Sequence, residues 1–200
     1  MSRRSAALVA FACAFAALAG LVAAGSFTRI DQWAVDHAMP GGSFHHTPGP
    51  LINGLVPLLH AGWGTPYAIA ANIITLPASF LIALAIVFAC SRVLAAALVA
   101  AVAVEVLCKE VLDRPALYDH AFHISAFDSS FPSGHALRTM LVAGALAWKW
   151  PRARLAAAPW ALVSVGLLEL AGWHTPSDLA PGVVLAGLAL LGARRLAGRS

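Results

Sequence analysis

The stretch FPSGHALRTMLVAGALAW, residues 131–148, decides how the rest of the chain is read. It opens on proline, serine, glycine and histidine and then turns apolar. From Ser133 onward it is shorter than the roughly 20 residues a membrane-spanning helix needs, so it crosses a bilayer only with its polar first turn included. Composition favours that reading. Of the 200 residues 60% are hydrophobic and only 11% charged, and the mean hydropathy is +0.79. A soluble domain carries roughly 25% charged residues. So few charges cannot cover a soluble globule, which excludes soluble enzymes and nucleic-acid-binding modules.

Working outward, the apolar runs are residues 6–24, 67–89, 93–112, 133–148, 155–173 and 177–193. Pro77 is expected to kink the second. The first exceeds the roughly 7–15 residues of a signal-peptide core and is read as a retained helix. Residues 25–50 and 113–132 are polar and read as loops, while 51–62 is too short to span and is placed at the interface. The expected fold is all-α: one polytopic membrane domain over residues 1–200, a bundle of six transmembrane helices. Cys13, Cys90 and Cys108 sit in or beside apolar runs, so no disulfide framework is expected.

The net charge of +4 reports topology before it reports a partner. With the N-terminus inside, Arg3, Arg4, Arg92, Lys149, Arg152, Arg154, Arg194, Arg195 and Arg199 all fall on the inner side, nine of the thirteen basic residues. All eight histidines fall on the outer side, with seven of the nine acids; Glu105 and Glu169 lie about one turn deeper. Both termini are therefore expected to be cytoplasmic.

Parity then collects the chemistry. The outer ends of the third to sixth spans carry Lys109 and Arg114, Ser133-Gly134-His135, His174 and Asp178. A helix opening at Ser133-Gly134 offers unpaired N–H groups to an anion. Lys109 and Arg114 add positive charge. Two histidines can divide the work of nucleophile and general acid, and Asp178 can orient His174. Thr175, Pro176 and Asp178 also make a good helix start. An anion site with two histidines points to phosphoryl transfer, and no metal-ligand spacing accompanies it, so neither metal nor other cofactor is expected.

At these residues the chain resembles the type 2 phosphatidic acid phosphatase superfamily of integral membrane lipid phosphatases. Phe131-Pro132-Ser133-Gly134-His135 matches its second motif, His174-Thr175-Pro176-Ser177-Asp178 the end of its third, and Lys109 the start of its first. The resemblance covers about residues 67–193. It implies His174 as a nucleophile that forms a phosphohistidine, His135 as the acid for the leaving group, and Asp178 as the partner of His174. It also implies Lys109, Ser133 and Gly134 as phosphate binders.

Two family arginines are missing. Ala116-Leu117 stands where the first motif should end, with Arg114-Pro115 displaced two residues toward the lysine, and Leu167-Leu168 replaces Ser-Arg of the third. Each lost charged contact is worth roughly 1.5–3 kcal/mol. Arg138, three residues after His135 on the same helix face, is expected to replace the lost pair together with Arg114. A structural alternative pairs Arg138 with Glu169, and Lys109 with Glu105. The other histidines, among them His120 and His123, read as loop residues. The expected activity is metal-independent removal of phosphate from a membrane lipid monophosphate or diphosphate at the extracytoplasmic face of a bacterial inner membrane. A phosphotransferase using the same intermediate and a non-catalytic lipid-phosphate binder or transporter are the alternatives.

Overall fold

The computed structural model describes residues 3–39, 76–124, 127–170 and 172–198. Seven α-helices lie among them: α1 (Arg3–Ala23), α2 (Thr28–His37), α3 (Leu76–Cys90), α4 (Arg92–Val111), α5 (Gly134–Lys149), α6 (Arg154–Leu170) and α7 (Pro176–Ala197). Three stretches are long and apolar enough to cross a membrane by length and composition: Ser5–Ala23, Pro151–Leu170 and Pro176–Ala197. Helix α4 has the length but carries Arg92, Glu105, Lys109 and Glu110, and α5 has only 16 residues. The expected first half of the second span and the expected interfacial segment lie outside the described residues.

Helix α5 is central, packing on α3, α6 and α7, while α7 also packs on α1 and α4. Leu94, Leu98, Leu137, Leu141 and Ala186 are fully buried between these helices. The outside is as apolar as the inside: Leu81, Phe88, Leu107, Leu155, Leu162 and Val163 are all exposed. Contiguous exposed apolar surface on this scale is foreign to soluble monomers and fits a lipid-facing bundle.

Two parts of the sequence reading are corrected. The segment read as a loop after the first span holds α2. Asp31, Ala34 and Val35 form its buried stripe at helical spacing, and the Gln32 side chain pairs with the backbone of Tyr118, accepting from its N–H at 3.0 Å and donating to its carbonyl at 2.6 Å. The polar loop before α5 holds a small antiparallel hairpin, β1 (Tyr118–Asp119) with β2 (Phe122–His123), so the fold is helical but not purely so. Val35, Met39, Leu117, Ile124 and Phe127 make a second apolar cluster that joins α2 to this loop. The result is a small cap over one end of the bundle, the end that carries the motif residues.

Candidate active site

Each motif residue is placed by a helix end. Helix α6 stops in a Schellman turn: Trp173 N–H donates to the Leu168 carbonyl and Gly172 N–H to that of Glu169, with Gly172 at φ +71°. That left-handed conformation is one glycine adopts without strain. The turn delivers Trp173 and His174 directly to the bundle end. Helix α7 then starts at once. Asp178 reaches back one turn, its Oδ2 accepting from the Thr175 N–H at 3.1 Å and the Thr175 hydroxyl at 2.9 Å. Opposite, the Ser133 hydroxyl caps α5 by accepting from Ala136 N–H at 3.2 Å, and the Ser133 N–H is held by the Asp178 carbonyl at 2.9 Å. The two helix starts are thus fastened to each other.

This brings the histidines together. His135 Nδ1 lies 3.2 Å from His174 Nε2, so one of the two nitrogens carries the proton between them. The edge of Trp173 also meets the His135 ring, at 5.3 Å between centroids. On its far side His174 Nδ1 is 3.8 Å from Asp178 Oδ2, longer than a hydrogen bond.

The charged residues fall into two clusters. Behind His174, Arg114 lies between two carboxylates, with Nη1 2.6 Å from Asp178 Oδ1 and Nη2 2.9 Å from Asp31 Oδ2. Ser130 adds its hydroxyl at 2.7 Å from Asp178 Oδ2. Ser177 donates to Asp31 through both its N–H, at 3.1 Å, and its hydroxyl, at 2.6 Å. Asp31 therefore also places a negative charge at the α7 N-terminus, where the helix dipole favours one. Its burial pushes the carboxyl pKa above its ordinary value, against the Ser177 hydrogen bond and the Arg114 charge that pull it down.

The second cluster lies on the other side of the histidines. Glu105 is fully buried and shared by two cations, Lys109 at 3.1 Å and Arg138 at 3.1 Å. Its carboxylate rests on the α5 N-terminus so closely that a Cβ at Gly134 would fall 1.9 Å from Oε1. Only glycine leaves room for it. The first cluster sums to one negative charge and the second to one positive charge, counting carboxylates and cations as ionised.

Measured against the expectations, Lys109, Ser133, Gly134, His135, His174 and Asp178 come together at one end of the bundle. Arg138 is there too, although its partner is Glu105 and not Glu169. Arg114 departs from its expected place. Its two terminal nitrogens are committed to carboxylates and hydroxyls behind His174, so it does not stand beside Arg138. Asp31 and Ser130 were not foreseen in the site at all. Among the described residues, no three His, Cys, Asp or Glu side chains gather as a metal-ligand set.

Placed on this geometry, the comparisons with known proteins give one match. The family model of the PAP2 superfamily covers residues 93–200, more than half of the chain, and the chain belongs to that superfamily. Members of that superfamily are generally phosphatases, which suggests activity on phosphate esters. No curated protein and no solved structure was found to match the chain.

Proposed function

We propose that this protein removes a phosphate from a membrane lipid, through a phosphohistidine on His174, at the extracytoplasmic face of the membrane. The observation that carries the reading is the 3.2 Å pairing of His135 Nδ1 with His174 Nε2, between a negative cluster and a positive one. Attack by His174 Nε2 on phosphorus makes that ring positive. Asp178, held by Arg114, Ser130 and Thr175, stands on the Nδ1 side to stabilise the charge. The phosphate oxygens are assigned to Lys109 and the Ser133-Gly134 start of α5, where they compete with the Glu105 carboxylate for the positive charge. His135, as the imidazolium, gives its Nδ1 proton to the leaving oxygen. Water then attacks the phosphohistidine, and His135 takes a proton from it.

The lipid as substrate rests on the apolar exterior and the small cap, which leave a phosphate ester direct access from the bilayer. The test is purified protein in detergent with a panel of lipid phosphates. Phosphate release unaffected by chelator, acid-labile label trapped on His174, and loss of both in His174→Ala are the expected results. Turnover retained in His174→Ala overturns the assignment.

A further inference from the structure

Glu105 differs from the other buried acids of the site. Asp178 accepts hydrogen bonds from Arg114, from Ser130 and from both the N–H and the hydroxyl of Thr175. Asp31 accepts from Arg114 and from both the N–H and the hydroxyl of Ser177. These two carboxylates are fastened on every side. Glu105 is as deeply buried, yet among the described residues it accepts one side-chain hydrogen bond, from Arg138 Nη1 to Oε2. Its Oε1 accepts none, although Lys109 Nζ stands 3.1 Å away.

The seat it occupies is the one assigned to phosphate. A Cβ at Gly134 would collide with both carboxylate oxygens, so the carboxylate lies against the first residue of α5. It thereby covers Gly134 and neutralises Lys109, two of the groups to which the phosphate oxygens are assigned. Two anions at one seat repel strongly at such range, so phosphate enters only as Glu105 gives way.

Arg138 supplies the place for it to go. Its side chain is 3% exposed, and Nε and Nη2 have no hydrogen-bond partner among the described residues. A guanidinium can hold a carboxylate by two parallel hydrogen bonds, and here it makes one. Buried donors left unmet are costly, so a carboxylate that leaves Lys109 and closes on Arg138 regains part of what it gives up. Lys109 is the open member of the group, its side chain 19% exposed against none for Glu105.

We propose that Glu105 is a built-in stand-in for phosphate. It holds Lys109 and the start of α5 in the empty site, yields them to the phosphoryl group by closing on Arg138, and returns to expel inorganic phosphate after hydrolysis. The exchange rests on the phosphatase reading above and adds to it the residue that governs product release. No covalent bond changes in the exchange, and Lys109 faces one anion at every stage. Arg138 acts through Glu105 and is a positioning residue.

The probe is inorganic phosphate on the full chain in detergent, at fixed pH and ionic strength. The readout is the phosphate concentration that half-maximally raises the melting temperature. Glu105→Gln keeps the size and removes the charge, and should bind phosphate about tenfold more tightly than the wild type. Equal or weaker binding overturns the proposal, because Glu105 would then serve only to hold Lys109 in place. No stabilisation of either protein by phosphate overturns it too. Arg138→Lys keeps a charge beside Glu105 but offers no fork. It should weaken phosphate binding about tenfold in the wild-type chain and leave it unchanged in Glu105→Gln. Losses of equal size in both backgrounds mean that Arg138 touches the phosphate itself, and overturn the exchange. Glu105→Asp draws the carboxylate back by one methylene, should also bind phosphate more tightly, and serves if Glu105→Gln does not accumulate. Tighter phosphate binding by Glu105→Gln, in a protein that hydrolyses no lipid phosphate, upholds the exchange and refutes the phosphatase reading. Turnover without tighter binding does the reverse.

Discussion

Asp31 and Arg114 hold Asp178, the partner proposed for the nucleophile His174. Arg114 fixes Asp178, and Asp31 fixes Arg114 and the first turn of α7. The sign of Asp31's contribution follows from its burial. Its carboxyl is raised above the ordinary value, with desolvation outweighing Ser177 and Arg114, so the folded chain holds a proton there more tightly than the unfolded chain does. Stability from this group is therefore present at low pH and lost as pH rises through the raised value. Asp31→Asn keeps the shape and removes the titration. The melting temperature of the wild type minus that of Asp31→Asn should grow as pH is lowered from neutral, levelling off below the ordinary carboxylate range. A difference that shrinks on acidification would mean that the Arg114 charge outweighs burial. The sequence showed neither partner. Arg114 stood near a motif position and was read through the motif, while the acid that claims it lies 83 residues earlier, in a segment that looked like loop.

At the scale of elements, what was legible was what local sequence decides. Long, mainly apolar runs marked α1, α4, α6 and α7, and Ser133 and Thr175-Pro176 marked two helix starts. Helix α2 was missed because it is ten residues long and held by others: its apolar stripe is brief, and its clamp is Gln32 on a strand 86 residues later. The spacing of Asp31, Ala34 and Val35 was the available signal. The close approach of α7 to α5 is also a tertiary fact, and it yields a test by opposite signs. A Cβ at Gly182 would lie 2.4 Å from the backbone carbonyl of Ser133, which cannot move without shifting the start of α5. Gly182→Ala should cost about 1–3 kcal/mol of stability, with activity falling alongside. At Gly192, later in the same helix, a Cβ meets nothing within 4 Å. Gly192→Ala should be neutral or stabilise by up to about 1 kcal/mol, the ordinary helix preference for alanine over glycine. Thermal unfolding in one detergent compares the two. Destabilisation of equal size at both positions would mean that the close approach to Ser133 is not what Gly182 serves.

Over the whole molecule, the two ends of the bundle are chemically different, which makes the proposed orientation testable. One end carries the cap, the histidines and both charge clusters. At the other, Lys149 donates to the Ala89 carbonyl at 2.6 Å and Arg194 lies over the Trp148 ring at 5.6 Å, tying the ends of α3, α5 and α7 together. Arg92 lies over the Phe88 ring at 5.8 Å at the junction of α3 and α4. Basic residues resist translocation, so the basic end is expected to be cytoplasmic and the histidine end outside. The chain provides two reporters. His120, at the tip of the hairpin, has a side chain 90% exposed, and Arg152, between α5 and α6, is exposed at the opposite end. In a variant with Cys13, Cys90 and Cys108 replaced by alanine, His120→Cys and Arg152→Cys each supply a single thiol. A membrane-impermeant maleimide added to intact bacterial cells expressing the protein, with the outer membrane permeabilised, should label position 120 and not position 152. Both should be labelled once the inner membrane is opened. Labelling of position 152 alone in intact cells would turn the active site to the cytoplasm. It would also reverse the side proposed for phosphate release.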